Sequence, residues 1–204
     1  MIDQQPVLIL GAGGLGRELY FWAQACGYTP LGFIDDNLHA LDHLQGYPPV
    51  VGTLATAPLT APILCGIGQN PIRMRCVQAL KDRGATFTSC IHPQAIILNA
   101  HLGEGAIVGP FAYIGADTTI GDFLFLQMHG LIGHDVRCGN FLRMDVGSFV
   151  GGYATLGDDV TIYTHGKVMP NKTVGNHVTI GAGSLLLNNL PDEVTVFGTP
   201  AMKI

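Results

Sequence analysis

The sequence predicts a small parallel α/β unit followed by a parallel β-solenoid, and three observations carry that expectation. From Ile96 to Leu186 an aliphatic or soft hydrophobic residue returns at every sixth position: Ile96, Leu102, Val108, Ile114, Ile120, Leu126, Ile132, Cys138, Met144, Val150, Leu156, Ile162, Val168, Val174, Ile180 and Leu186. With 48% of the chain hydrophobic, chance would produce such a run roughly once in twenty thousand sequences, counted over all registers. Gly follows the repeated residue in ten of the sixteen units, and the residue two before it is usually small, as in Ala106, Ala112, Ser148 and Ala154. Ahead of the repeat, the aliphatic run Val7-Leu8-Ile9-Leu10 breaks into Gly11-Ala12-Gly13-Gly14-Leu15-Gly16. A period of six fits neither a helix nor a single strand. It fits short parallel strands that stack coil upon coil, each burying its apolar rung against the next.

In chain order, Val7–Leu10 reads as a strand, and a helix follows because Leu15, Leu19, Trp22 and Cys26 share a face at helical spacing. Leu31-Gly32-Phe33-Ile34 reads as a second strand closed by Asp35-Asp36, and Ile63-Leu64-Cys65-Gly66 as a third. Pro71 suits the first turn of a helix, on which Ile72, Cys76 and Leu80 fall on one face. Phe87 to Ile91 reads as a further strand leading into the repeat. Strand, Gly turn, helix and strand make a βαβ unit, so residues 1–92 are expected to form a Rossmann-like sheet with flanking helices.

The Gly run matches G-x-G-x-x-G in the context the motif needs, with Asp35 about twenty residues further on. Glycine lets the backbone approach phosphate, and a helix N-terminus presents free N–H groups to it. The carboxylates after the second strand can accept hydrogen bonds from a ribose or a base edge. Three readings stand: the nucleotide end of an activated sugar, a dinucleotide cofactor, or a purely structural turn. Ninety residues are too few for the two halves of a full dinucleotide fold.

Within the repeat, rungs and the small residues two before them point inward, and polar side chains at other phases point outward. Three six-residue faces close a coil, so residues eighteen apart are stacked neighbours. His134 lies two past the rung Ile132, outside, between Ala116 and Gly152, where small neighbours leave room for a thin acyl-carrying arm. Asp135 is next to it, placed to hold an imidazole tautomer. A bland alternative is a surface histidine, one of eight in the chain. His129 and His134, five apart, also raise a zinc site of the gamma-class carbonic anhydrase kind, which would need a third ligand where this chain has Pro93. Gln127, Asp145 and Tyr163 replace the usual Gly in three successive coils and should stack along one edge. Cys138, near the histidine in sequence, leaves an acyl-enzyme route open. Phe197-Gly198-Thr199-Pro200-Ala201 breaks the period and should close the open end. The expected organisation is therefore 1–92, 93–190 for the solenoid, and 191–204 as a closing segment.

Five cysteines in no paired framework read as reduced thiols. A net charge of −5 with ten Lys and Arg argues against a nucleic-acid partner. No leader pattern and no apolar run of membrane-spanning length are visible, so the expected location is cytoplasmic, with no membrane span.

Taken in order and spacing, Gly11-Ala12-Gly13-Gly14-Leu15-Gly16-Arg17-Glu18, Phe33-Ile34-Asp35-Asp36, Gly66-Ile67-Gly68-Gln69-Asn70-Pro71-Ile72-Arg73, Gly133-His134-Asp135-Val136 and Gly198-Thr199-Pro200-Ala201 resemble one family. It is the bacterial sugar O/N-acyltransferases of the sialic acid O-acetyltransferase type, which includes N-acetyltransferases of nucleotide-linked 4-amino sugars. The resemblance implies a left-handed, three-sided β-helix and acetyl-CoA as acyl donor, with no metal. It also implies a homotrimer with active sites between subunits. By the same resemblance His134 is the general base and Asp135 its acidic neighbour. Gly13, Gly14, Leu15, Asp35, Asp36 and Gly68 would line the nucleotide-sugar site. Gly152, Thr164 and Ala182 would touch the cofactor, and so would Arg143, which stands where the family commonly has a second histidine. The competing expectation is a non-catalytic nucleotide-sugar-binding trimer.

Overall fold

Val7, Leu8, Ile9 and Leu10 are all buried in the computed structural model, which describes residues 5–204. They form the buried part of β1 (Gln5–Leu10), covered on both faces as a strand of a parallel sheet must be. The other parallel strands are β2 (Tyr28–Ile34), β3 (Val50–Gly52) and β4 (Ile63–Cys65), in spatial order β3-β2-β1-β4. α1 (Gly14–Ala25) connects β1 to β2, α2 (Asn70–Asp82) follows β4, and β5 (Cys90–Ile91) ends this unit. Because β1 lies between β2 and β4, the winding reverses beside it. The carboxyl ends of β1 and β4 therefore flank the switch point at which such sheets bind ligands.

α1 buries Leu19, Trp22 and Ala23 as its spacing predicts. At Gly16 a side chain would run into the Gly11 carbonyl, so the helix packs closely enough to require glycine. On α2 the buried face is Arg73, Cys76, Val77 and Leu80. Ile72, expected on that face, is 38% exposed, because the buried stripe passes through Arg73 and Val77 one position on. The strand expected from Phe87 shrinks to β5, with Phe87 making an isolated bridge to Ile63. All five cysteines are free.

One compact unit ends at His92 and the other begins at Pro93. The second is a left-handed β-helix of two-residue parallel strands paired eighteen residues apart, as in Leu126 with Met144, Ile132 with Val150 and Cys138 with Leu156. They stack into three sheets, one per wall. Every rung from Val108 to Leu186 is buried, together with Ala112, Val136, Leu142, Ala154, Val160 and Val178 between them. A two-residue strand repeats every six residues because each corner turns on a left-handed residue three past the rung, from Phe111 at φ 59 to His177 at φ 54. Asp and Asn tolerate that conformation best among residues with a side chain.

Both ends depart from the six-residue count. Ile97, not Ile96, aligns with Ile114, and Ile96 is 55% exposed. The first rung is therefore displaced by one residue, and the step from Ile97 to the next rung, Leu102, is five residues. At the other end the offset falls from eighteen to sixteen. Leu190 bridges Val174, and Thr195–Phe197 pairs in parallel with Thr179–Ile180. The wall thus continues past the expected boundary at residue 190, and only Met202–Lys203 turns back, antiparallel to Thr195–Phe197.

One corner carries a ladder that the period does not reveal. The Oδ1 of Asp122 accepts from the Glu104 N–H, Asn140 from Asp122, Asp158 from Asn140, Asn176 from Asp158, and Asp192 from Asn176. Each side chain satisfies a backbone donor one coil below that the short strands leave unpaired.

Candidate active site

In the first unit the Gly loop leaves β1 at the switch point. Gly11 sits at φ +91, a conformation open to glycine. Gly13 is the N-cap of α1 and no side chain caps that helix. Nothing lies within 4 Å of where a side chain at Gly13 or Gly14 would begin, so the loop presents bare backbone. Leu15 continues it into the first turn of α1, and Gly68 lies in the turn between β4 and α2, across the switch point. Asp35 is engaged within the protein: its Oδ2 accepts from the Ala12 N–H at 2.8 Å and its Oδ1 from Asn37 at 2.9 Å. It ties the end of β2 to the Gly loop. Asp36 uses Oδ1 on the Leu54 N–H at 3.1 Å and is exposed.

His134 occupies an outer corner after the strand Leu131–Ile132, with its side chain 57% exposed. Its Nδ1 lies 2.8 Å from Oδ2 of Asp135. Neighbours on an extended chain diverge to opposite faces, but Asp135 sits at φ 56 and turns its carboxylate back to the adjacent ring. Gly152 lies in the next coil, where a Cβ would come 2.9 Å from the His134 Nε2. Tyr153 stands edge-on to the imidazole, ring centroids 5.0 Å apart at 89°. Sequence reasoning missed Tyr153; its register, eighteen past Asp135, was the available signal.

The expected cofactor set divides. Gly152 belongs to the His134 corner, whereas Thr164 and Ala182 stack on another, each two past a rung of the wall that holds Arg143–Met144. Arg143 and Asp145 project from the same side of one strand and form a two-point ion pair, Nε to Oδ1 at 2.8 Å and Nη2 to Oδ2 at 3.0 Å. Both are largely buried, and the guanidinium lies 5.3 Å from the Tyr163 ring centroid. The Asp145 and Tyr163 positions picked out by the missing glycines therefore serve to seat Arg143.

Cys138 is a buried rung, and burial pushes its thiol up to about 12. A buried thiol that remains protonated at neutral pH is a poor nucleophile, which argues against Cys138 as an acyl carrier. His129 stacks on Phe111 at 5.2 Å, following a different wall from His134. Among the described residues no group of three or more His, Cys, Asp or Glu is placed to hold a metal.

A histidine held by a carboxylate on the outside of the β-helix can serve as a base, and comparison with known proteins decides the class. The PglD N-terminal domain family matches residues 6–80. GDP-perosamine N-acetyltransferase of Escherichia coli O157:H7 is 30% identical over 152 residues, 69% of this chain and 67% of that protein. PerB from Caulobacter crescentus, solved in complex with CoA and GDP-perosamine, superposes with a TM-score of 0.86 at 28% identity, covering 100% of this chain and 98% of that one. The acetyltransferase domain of PglB from Neisseria gonorrhoeae FA1090, solved with acetyl coenzyme A, gives 0.90 at 27% identity, covering 99% and 100%. The chain belongs to the hexapeptide-repeat acetyltransferases of nucleotide-linked amino sugars. It is an acyltransferase, which decides between transfer and mere binding. Among the described residues no helix is long and apolar enough to cross a membrane.

Proposed function

We propose that the chain transfers the acetyl group of acetyl-CoA to the amine of a nucleotide-linked sugar in surface-glycan synthesis, in the cytoplasm, with His134 as general base. The observation that carries this is the Asp135 carboxylate on Nδ1 of His134. A proton held on Nδ1 leaves the lone pair on Nε2, beside Gly152, on a side chain that is more than half exposed.

The neutral amine attacks the thioester carbonyl. The N–C bond forms, Nε2 takes the amine proton, and collapse of the tetrahedral intermediate breaks the C–S bond and releases CoA thiol protonated by the same imidazole. The Gly152 N–H is the donor we assign to the oxyanion. Gly13, Gly14, Leu15 and Gly68 bind the nucleotide sugar with backbone donors. Asp36 faces the ribose or base, and Asp35 holds the loop in shape. Thr164 and Ala182 lie one corner from Gly152. The homotrimer, with CoA in a groove between two copies that touches all three, is what the family resemblance implies rather than a contact within one copy. Arg143, tied to Asp145, shapes that groove and does not reach freely for a phosphate.

The test is thiol release from acetyl-CoA with a panel of nucleotide amino sugars. Release that His134→Ala lowers by at least about a hundredfold supports the reading. Ligand binding without release, or undiminished release by the variant, defeats it. Sedimentation of the full chain should give three copies.

A further inference from the structure

Tyr153 is the outlier of its corner. The left-handed positions stacked there are Asn99, Asp117, Asp135, Tyr153 and Asn171, at φ 46, 58, 56, 60 and 60. Four are Asp or Asn, whose short polar side chains suit that backbone. A bulky aromatic residue there is disfavoured. Tyr153 is also 58% exposed, so burial does not compensate. Its ring meets His134 edge to face at 5.0 Å.

The imidazole has two rotatable bonds and needs more than one restraint. Asp135 holds Nδ1 and Gly152 backs the Nε2 side, where a Cβ would lie within 3.0 Å. Neither blocks the ring from pivoting about the Nδ1 hydrogen bond toward solvent. Tyr153, perpendicular to it, does. We infer that Tyr153 is a positioning residue, whose ring keeps the His134 Nε2 aimed at the acceptor amine. The inference rests on the general-base reading of His134.

Tyr153→Asn supplies a residue suited to the left-handed position while removing the ring, so a loss of activity cannot be laid to misfolding. Its thermal midpoint should equal or exceed that of the parent. Misplacing a reacting group by about 1 Å costs up to a hundredfold, so kcat should fall about tenfold while both KM values stay within about twofold. Tyr153→Phe, which keeps the ring, should restore kcat. Parental kcat in Tyr153→Asn overturns the inference, and so does a Phe variant as impaired as the Asn one, since that would place the role in the hydroxyl. His134→Ala runs beside them. If it stays active, the base assignment itself fails; if it is inactive and Tyr153→Asn is not, only the present inference fails.

Discussion

A methyl group at position 152 would sit 2.9 Å from Nε2 and 3.0 Å from Cε1 of His134. The clash falls on the far end of a side chain, which must shift against the Tyr153 ring, so Gly152→Ala should fold with a thermal midpoint close to the parent yet lose at least about tenfold in kcat. Measuring the two together separates displacement of the base from damage to the coil. A second residue-level expectation concerns Cys138. With its thiol raised to about 12 by burial, it should resist alkylation in the native protein at pH 8 and react on unfolding. Modification of the folded chain at Cys138, read by peptide mass, would contradict its place inside the coil.

At the scale of the element, the Asp–Asn ladder alternates charge. Asn140 accepts from Asp122 and lies between two carboxylates, with Asp158 bonded to its own N–H. Asn140→Ala leaves the Asp122 N–H without its partner and should cost about 1 kcal/mol. Asn140→Asp keeps the bond but stacks three carboxylates in successive coils, so it should also lower stability, and added salt should reduce that loss. Thermal midpoints of both variants at low and high salt test this. On the same corner Asp159 holds His177 at 2.9 Å, and that hydrogen bond raises the histidine above its ordinary 6.5. A group raised on folding contributes stability that is full below the unfolded value and lost as pH climbs through the folded one. The midpoint difference between parent and His177→Ala should therefore be largest below about pH 6.5 and shrink above it. The exposure of the pair keeps the effect small.

At the scale of the molecule, a solenoid ends in an open strand edge that invites pairing with another chain. Here Met202–Lys203 covers Thr195–Phe197. Removing residues 198–204 should free that edge and produce concentration-dependent association by light scattering, with the inner coils intact by circular dichroism.

The rungs from Val108 to Leu186 were legible because a fully buried column tolerates only apolar residues, and the six-residue step leaves them in phase. The Gly loop was legible for a similar reason, since close backbone approach excludes side chains. β3 was not: three residues after Pro48-Pro49 carry no period of their own and become a strand only through pairing with β2. The slips at Ile97 and Leu190 were hidden for the same reason, because terminal coils take their register from the single neighbour they stack on.

For the site, sequence determined that His134 lies outside between two small residues and has a carboxylate beside it. Only tertiary structure decided that Asp135 turns back to Nδ1, that Arg143 is held by Asp145, and that Tyr153 faces the imidazole. Those contacts depend on the left-handed turn at Asp135, on Arg143 and Asp145 projecting from one side of a strand, and on Tyr153 reaching His134 from the next coil. The periodic residues define a position along the coil, and folding sets the direction of each side chain.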